Sequence, residues 1–382
     1  TWLETDAGGF LPAVWSAEAG LIASTSGLID RLTPHEVHAE AAAVFEFPKR
    51  RGFLPFGLTH HRGVRRLLPG HRLNLSTMGA ARVWPSPELA AAPPLAQAEA
   101  GALLDALADR VRDQIGAVAR AASPARLYLS GGHDSRMVLA ALKGQAERIV
   151  CETLVNAAPL DLHLAAKAAA AAGAEHLPVP IRPVPEAERE AWLERSGRCF
   201  YDPVSDLAVT AVQEDRRQLV MDGTGAEILR ASNWAAEDLG APRLTRDVLL
   251  RRSRLPEAPV IVEAAEAWLA ALPPCRATLG LDLAKIDLIH GCWAGASIYG
   301  HAIEIPSISP VASRPVYEGA LRLPEAWKTG PETYRRWMAR LWPEGAEISA
   351  NRAEGWDRLR FAKSELKRLI PASVKRAIKP YR

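Results

Sequence analysis

The sequence contains few cysteines, no long apolar run and little net charge. Its four cysteines among 382 residues form no Cys-x-x-Cys pair, a spacing that favours neither a zinc site nor a disulfide framework. No apolar stretch reaches the roughly 20 residues that a membrane-spanning helix requires. A formal net charge of +3 is too small to indicate nucleic-acid binding by itself. We therefore expect a protein of the reducing cytoplasm without a membrane span.

The chain is long enough for two domains, and its composition is that of an ordinary globular protein. Residues 1–84 alternate short apolar runs with turn residues, which predicts an antiparallel, β-rich domain. Four prolines in an alanine-rich stretch predict a linker over residues 85–95. Residues 96–382 then form a second domain.

Strands alternate with helices in the second domain. An amphipathic helix is predicted over Ala96–Arg120 and a second helix over Asp161–Ala174. Apolar, β-rich runs at Arg148–Val155, His176–Ile181 and Gln218–Met221 predict strands. This alternation predicts parallel βαβ units in a doubly wound α/β sheet, where ligands bind at the carboxyl ends of the strands.

One strand–turn–helix segment stands out as a candidate binding site. Leu127–Leu129 predict a short buried strand, Gly131 and Gly132 allow a tight turn, and residues 137–142 begin a helix. A glycine turn at the start of a helix directs free backbone N–H groups, and the positive end of the helix dipole, at an anion. The segment therefore predicts a phosphate site.

Polar side chains in the same turn suit this chemistry. The hydroxyls of Ser130 and Ser135 can donate to phosphate oxygens, and the Asp134 carboxylate can hold a magnesium ion. The sequence of residues 130–135, Ser-Gly-Gly-His-Asp-Ser, matches the pyrophosphate loop of the ATP pyrophosphatases. It differs from the Gly-x4-Gly-Lys-Ser/Thr loop because no lysine follows the glycines. Around this motif the chain resembles the asparagine synthetase family.

A second segment resembles another motif of that family. Asp222–Leu229 is similar to the family's Ser-Gly-Glu-Gly-(Ala/Ser)-Asp-Glu turn, with Gly223 and Gly225 in register and Glu227 at the aspartate position. The chain also departs from the family pattern, and Thr224 replaces an acidic residue that the family uses in its site. The substituted positions are Thr224, Ile228, Ala302, Glu304, Ser309 and Ala353.

The N-terminal residues resemble the second half of the family's glutaminase domain, which has the Ntn fold. The resemblance rests on residues 6–12 and residues 63–71. The family's nucleophile is a cysteine, but no cysteine precedes Cys151. We therefore expect a partial glutaminase-like domain without a nucleophile. Either an N-terminal segment is missing from this chain, or glutamine hydrolysis has been lost.

The resemblance implies a PP-loop ATP pyrophosphatase domain that binds ATP and Mg²⁺. Adenine would lie between the strands that end near Leu129 and Thr153, and Asp134 and Glu227 would hold magnesium. Arg352, one residue before the family's lysine position, would supply positive charge at the α-phosphate. The expected nucleotide-binding residues are Leu129, Ser130, Gly131, Gly132, Asp134, Ser135, Thr153 and Gly223. The expected catalytic residues are Asp134, Glu227 and Arg352.

The implied activity is ATP-dependent amide-bond formation through an acyl-adenylate. A small molecule or peptide would supply the carboxylate, and the substrate itself or ammonia would supply the amine. The altered motifs favour a specialised member of a peptide or natural-product pathway, such as a lasso-peptide cyclase. Two alternatives remain open at this stage: a catalytically inactive scaffold protein, and a tRNA-modifying ATP pyrophosphatase. The basic tail Arg358–Arg382 predicts an amphipathic helix, which suits either a binding partner or a solvated surface.

Overall fold

The computed structural model describes residues 1–45, 52–122, 124–155, 159–201, 218–302 and 305–362. Its N-terminal part consists of short strands that pair only in antiparallel fashion, as the alternating pattern predicted. One sheet has the order β1-β6-β7 and another has the order β3-β2-β5. The strands are β1 Trp2–Glu4, β2 Val14–Ser16, β3 Leu21–Ala23, β4 Gly52–Phe53, β5 Val64–Arg66, β6 His71–Asn74 and β7 Gly79–Arg82. Helices α1 Ser26–Leu32 and α2 Ala39–Phe45 lie between them.

A five-stranded parallel sheet forms the centre of the second part, and the predicted α/β class is confirmed. Its order is β10-β9-β8-β12-β13. The strands are β8 Ala125–Tyr128, β9 Ile149–Leu154, β10 Glu175–Val179, β12 Val220–Met221 and β13 Ser307–Ile308, while β11 Phe200–Tyr201 pairs with β4. Successive strands run outward from β8 to β10, and the chain then returns to the other side of β8. Such a reversal of strand order is the usual place for a ligand in an open α/β sheet.

The predicted amphipathic helix is confirmed as α4. It spans Gln97–Ala121 and buries Leu104, Leu107, Val111 and Ile115, which recur at helical spacing. The helix that follows β8 is α5, His133–Leu142, and the helix that follows β9 is α6, Pro159–Ala172. The remaining helices of this region are α3 Pro87–Ala91 and α7 Glu186–Arg195, with a 3₁₀-helix at Lys143–Arg148.

Helices dominate the chain after β12. They are α8 Arg246–Ser253, α9 Pro259–Ala270, α10 Ala277–Ala284, α11 Gly295–Ala302, α12 Arg314–Arg322, α13 Glu325–Thr329, α14 Glu332–Leu341 and α15 Asp357–Arg360. Further 3₁₀-helices lie at Ala226–Leu229, Ala236–Asp238 and Pro343–Glu347. No helix in the described ranges is both long and apolar enough to cross a membrane. The predicted basic helix is described only as far as residue 362, and residues 363–382 lie outside the described part.

Lys285–Ala294, between α10 and α11, is a π-helix. The N-terminal loops press against this segment. A Cβ on Gly291 would lie 2.5 Å from Pro69 Cδ, and a Cβ on Gly295 would overlap the Gly9 carbonyl oxygen. These glycines let two loops of the N-terminal part reach the backbone of the wide helix. The contact brings residues of both parts of the chain together.

The main apolar core also includes both parts of the chain. Leu54 and Phe56, from the N-terminal part, belong to the same buried cluster as Leu104 of α4 and Leu127 of β8. Within the predicted linker 85–95, residues 87–91 form α3, and Ala90 is buried. Residues of the N-terminal part outside its three-stranded sheets therefore pack into the same core as the parallel sheet, whereas the antiparallel sheets bury small clusters of their own.

Candidate functional site

The loop after β8 is closed by its own serines. Ser135 Oγ accepts a hydrogen bond from Ser130 N at 3.0 Å and lies 3.1 Å from Ser130 Oγ. Ser130 Oγ in turn accepts from Gly132 N at 3.2 Å. Helix α5 begins directly afterwards, at His133. Because the first N–H groups of a helix have no acceptor within it, the start of α5 presents donors beside this loop.

A carboxylate of helix α6 accepts a hydrogen bond from one backbone amide of this loop. Gly131 N donates to Asp161 Oδ1 at 2.7 Å, and a Cβ on Gly131 would lie only 2.8 Å from the same oxygen. Burial raises the pKa of Asp161, and the Gly131 N–H and Arg136 oppose this only partly. Gly131 therefore donates to the protein, and the N–H groups available to a ligand are those of the first turn of α5.

The ends of β8 and β9 are joined through the two residues expected to flank adenine. Leu129 N donates to the Glu152 carbonyl at 2.8 Å, and Thr153 Oγ1 donates to the Leu129 carbonyl at 2.7 Å. Thr153 Oγ1 also lies 3.0 Å from Nε2 of His176, the second residue of β10. Leu129 and Thr153 are both buried. The structure thus brings them together at the carboxyl edge of the sheet.

The loop after β12 packs directly on the first turn of α5, which follows the loop after β8. A Cβ on Gly223 would lie 2.6 Å from the Asp134 carbonyl carbon and 2.8 Å from Ser135 Cα. Gly225 adopts the left-handed conformation, with φ +97°, and leaves no room for a side chain against Ala312. The second motif therefore contacts Asp134 and Ser135 of the first, and the two motifs lie side by side.

Asp134 is paired with Arg230, to which the sequence motif assigns no role. Arg230 Nε donates to Asp134 Oδ1 at 2.9 Å, and a terminal guanidinium nitrogen donates to Oδ2 at 2.6 Å. Burial alone would lower the pKa of Arg230, but the bonds to Asp134 outweigh it and raise that pKa. This two-bond arrangement is the strongest geometry that a guanidinium makes with a carboxylate. Both oxygens of Asp134 are therefore engaged.

Glu227 is also surrounded by cationic and donor groups. Its Oε1 lies 3.1 Å from His290 Nε2 and 4.0 Å from Lys285 Nζ, and its Oε2 accepts from Gly225 N at 2.7 Å. His290 Nδ1 lies 2.7 Å from the Tyr317 hydroxyl. Burial acts to raise the pKa of Glu227, but His290 and Lys285 overcome it and lower that pKa to about 2. Glu227 is thus a firmly ionised, internally paired carboxylate.

These contacts decide how well the site fits magnesium. All the carboxylate oxygens of Asp134 and Glu227 have a protein partner, and Arg230 and Lys285 bring positive charge where a cation would bind. The described residues include no group of three or more acidic, histidine or cysteine side chains arranged to hold a metal ion. In this arrangement the residues do not fit Mg²⁺. The magnesium role of Asp134 and Glu227 stays a prediction of the resemblance.

A loop near the end of the described chain covers the phosphate loop. Asn351 N donates to the Gly131 carbonyl at 2.7 Å, and Asn351 Nδ2 lies 2.9 Å from His133 Nδ1. Asn351 has a φ of +61°, which is uncommon for a residue other than glycine. Ala353, at the family's lysine position, is buried in an apolar cluster, whereas Arg352 is exposed. Arg352 is therefore the residue of this pair that reaches the site.

Two cavities flank the start of α5, with volumes of about 340 and 590 Å³. His133, Tyr334 and Arg352 line both, and Arg230 lines the smaller one. Burial lowers the pKa of His133, and the positive charges of Arg230 and Arg352 lower it further. The smaller cavity therefore combines two guanidinium groups with a neutral imidazole beside the predicted phosphate loop.

The sequence predicted much of this site, including Arg352, but it gave no role to Arg230, Lys285 or His290. Arg230 comes shortly after the second motif, yet nothing in the motif assigns it a role. Lys285 and His290 lie on the π-helix, outside any recognised pattern. Neither a scan with protein-family models nor a search of curated proteins found a match to this chain.

Proposed function

We propose that this chain forms amide bonds at the expense of ATP, through an acyl-adenylate intermediate. The substrate would be a small molecule or peptide that carries a carboxylate. The amine would come from the same substrate or from ammonia. Such a reaction suits a peptide or natural-product pathway, for example one that closes an amide ring within a peptide. The proposal rests on the resemblance to asparagine synthetases together with the site described above.

The observation that carries the proposal is the backbone contact between Gly223, in the loop after β12, and Ser135, in the first turn of α5, which follows the loop after β8. Both loops lie where the strand order reverses, at the carboxyl edge of the parallel sheet. The N–H groups of the first turn of α5 and the guanidinium of Arg352 supply donors and positive charge for a phosphate chain. An ordinary strand-to-helix turn would need neither the second loop nor the nearby cations.

The reaction would proceed in two steps. A carboxylate oxygen attacks the α-phosphorus, the bond from that phosphorus to the β-phosphate's bridging oxygen breaks, and pyrophosphate leaves with the electron pair. The amine nitrogen then attacks the acyl carbon, AMP leaves, and the nitrogen gives up a proton to form the amide. Positioning and charge stabilisation would supply the catalysis. Magnesium is the expected companion of ATP, but no step here depends on it.

Turnover of ATP tests the proposal, followed by phosphorus NMR with carboxylate-bearing peptides or extracts. Gly132→Ala is the informative variant because Gly132 has ordinary extended angles, φ −81° and ψ 176°. Its added methyl would lie 3.2 Å from Ser130 Oγ and 3.5 Å from Asn351 Oδ1, above the loop. We expect the variant to fold and to form AMP and pyrophosphate about tenfold more slowly or worse.

The matched control is Gly144→Ala, where an added Cβ meets no atom within 4 Å. This control should keep wild-type turnover. Release of ADP and phosphate by the wild type would contradict the proposal, as would a Gly132→Ala variant that is fully active.

A nucleotide-binding scaffold is the second candidate, and the paired carboxylates favour it. Asp134 is paired with Arg230 and Glu227 lies near Lys285, an arrangement that is stable without catalysis. A scaffold would bind ATP with the same loops and release no AMP. ATP binding without turnover, under every substrate condition tried, would therefore select this candidate.

A further inference from the structure

The smaller cavity beside the phosphate loop is lined by positively charged side chains. Arg230 and Arg352 both line its wall, and none of the described residues that line it is acidic. The rest of the wall is mainly apolar, with Met137, Ala226 and Leu229 among its residues. Guanidinium groups in a partly apolar enclosure attract anions more strongly than they do in bulk water.

The two arginines differ in how they are held. Arg352 is exposed and makes no ion pair within the described ranges. Arg230 is paired with Asp134, but its side chain keeps 41% of its surface exposed. The guanidinium of Arg230 therefore has room to turn from the carboxylate into the cavity that it already lines. A phosphate group can accept the same two parallel hydrogen bonds that Asp134 now accepts.

A ligand phosphate and Asp134 would compete for this arginine. Asp134 lies in the first turn of α5, where the resemblance also expects the phosphate chain. Two anions at one helix start repel each other unless a cation separates them. Arg230 is the cation bonded to Asp134 in the structure, and Asp134 and Glu227 offer no unengaged oxygen for a metal ion.

We propose that this cavity binds the pyrophosphate released from ATP, and that Arg230 exchanges Asp134 for the pyrophosphate while Arg352 supplies the second positive charge. The inference rests on the proposed function for its ligand. It adds that the anion is neutralised by protein cations, so that pyrophosphate binds without a metal ion. Asp134 then acts as a positioning residue that holds the Arg230 guanidinium group until pyrophosphate binds.

Calorimetric titration of the full chain with sodium pyrophosphate, in EDTA and then in excess magnesium, tests this. We expect binding in EDTA, with an affinity within about threefold of that in magnesium. Arg230→Gln should weaken binding in EDTA about tenfold or more. Arg340→Gln is the matched control, because Arg340 makes a similar two-bond pair with Asp109, at 3.0 and 2.6 Å, away from both cavities. Its affinity should equal that of the wild type.

The Asp134→Asn variant tests the direction in which pyrophosphate affinity changes. If Asp134 competes for Arg230, the uncharged amide releases the arginine and pyrophosphate binds several-fold more tightly in EDTA. A magnesium ligand at this position predicts no gain in EDTA and weaker binding in magnesium, and that pattern would overturn the inference. Should Arg230→Gln fail to fold, Arg230→Lys keeps the charge, loses the two-bond geometry and should bind with intermediate affinity.

Failure of the inference differs from failure of the proposed function. Pyrophosphate that binds only with magnesium, or equally well to the wild type and Arg230→Gln, overturns the inference and leaves ATP-dependent chemistry standing if ATP still binds. A wild-type chain that binds neither ATP nor pyrophosphate under any condition overturns both.

Discussion

Gly223 and Ser135 meet through their backbones, although they lie far apart in the sequence. A Cβ on Gly223 would lie 2.8 Å from Ser135 Cα and would overlap the Ser135 amide nitrogen. Pairing of β8 with β12, with Leu127 opposite Met221, sets this distance. Because the contacted atoms belong to the backbone, no side-chain rotation can relieve a larger residue.

Gly223→Ala should therefore displace one loop from the other. We expect a loss of about 1–3 kcal/mol in the free energy of unfolding, the usual cost of overpacking, and a clear loss of nucleotide affinity. Urea unfolding and a nucleotide titration measure both effects. Gly27→Ala serves as the control, since an added Cβ in α1 meets no atom within 4 Å and alanine favours a helix. A Gly223→Ala variant as stable as the wild type would refute the close approach.

The bond from Gly131 N to Asp161 predicts different outcomes for two substitutions. Asp161→Ala leaves the Gly131 amide without its acceptor, so we expect a loss of about 1–3 kcal/mol in unfolding free energy. Asp161→Asn keeps an accepting oxygen. Because burial raises the pKa of Asp161, its charge is unfavourable at neutral pH, and this penalty disappears as the pH falls through the folded-state pKa.

The asparagine variant should consequently be at least as stable as the wild type at pH 7, and its relative stability should decline towards pH 4. Urea unfolding of the three proteins at both pH values measures this. Equal stability of the alanine variant and the wild type would show that the Gly131 amide does not depend on Asp161.

The features that local sequence predicted well are those set by neighbouring residues. The apolar spacing of α4 places Leu104 and Val111 on one buried face, and the helix follows. The turn at Gly131 is likewise encoded in adjacent residues, although β8 ends at Tyr128 and leaves Leu129 in the loop. The antiparallel N-terminal strands and the parallel sheet also follow from alternation and from strand–helix order.

The features that sequence could not supply depend on distant partners. Arg230 lies 96 residues from Asp134, and no local pattern links an arginine after one turn to an aspartate after another. The π-helix arises where loops of the N-terminal part press on Gly291 and Gly295, which helical periodicity cannot reveal. Long-range contacts with Arg230 and His290 also engage the carboxylates of Asp134 and Glu227, which the resemblance assigned to magnesium.

Arg352→Gln should reduce turnover with little effect on stability. The side chain is exposed and lines both cavities, so its charge serves the ligand more than the fold. Loss of one group that stabilises transition-state charge typically lowers kcat about 100-fold. We expect that decrease in AMP formation, with a change below about 0.5 kcal/mol in unfolding free energy. Arg110→Gln, an exposed position on α4, is the control; full activity of Arg352→Gln would make Arg352 a surface arginine.

Glu227→Gln should destabilise the protein in a pH-dependent way. The Glu227 side chain is 14% exposed and that of His290 is fully buried, so the substitution removes the anion that faces both His290 and the Lys285 ammonium group. The pKa of Glu227 falls from 4.5 to about 2, which corresponds to about 3 kcal/mol of stability at neutral pH. A lowered carboxyl pKa contributes its full stability above the unfolded value and loses it as the pH falls towards the folded value.

The difference in unfolding free energy between the wild type and Glu227→Gln should therefore be constant above about pH 5.5 and shrink between pH 4.5 and about 2. Comparing the two proteins at each pH cancels the titration of the other carboxyl groups. Glu263→Gln, exposed on α9, should show no such trend. A difference that stays the same from pH 7 to pH 3 would mean that Glu227 contributes by packing alone, and that its ionised contact with His290 does not stabilise the fold.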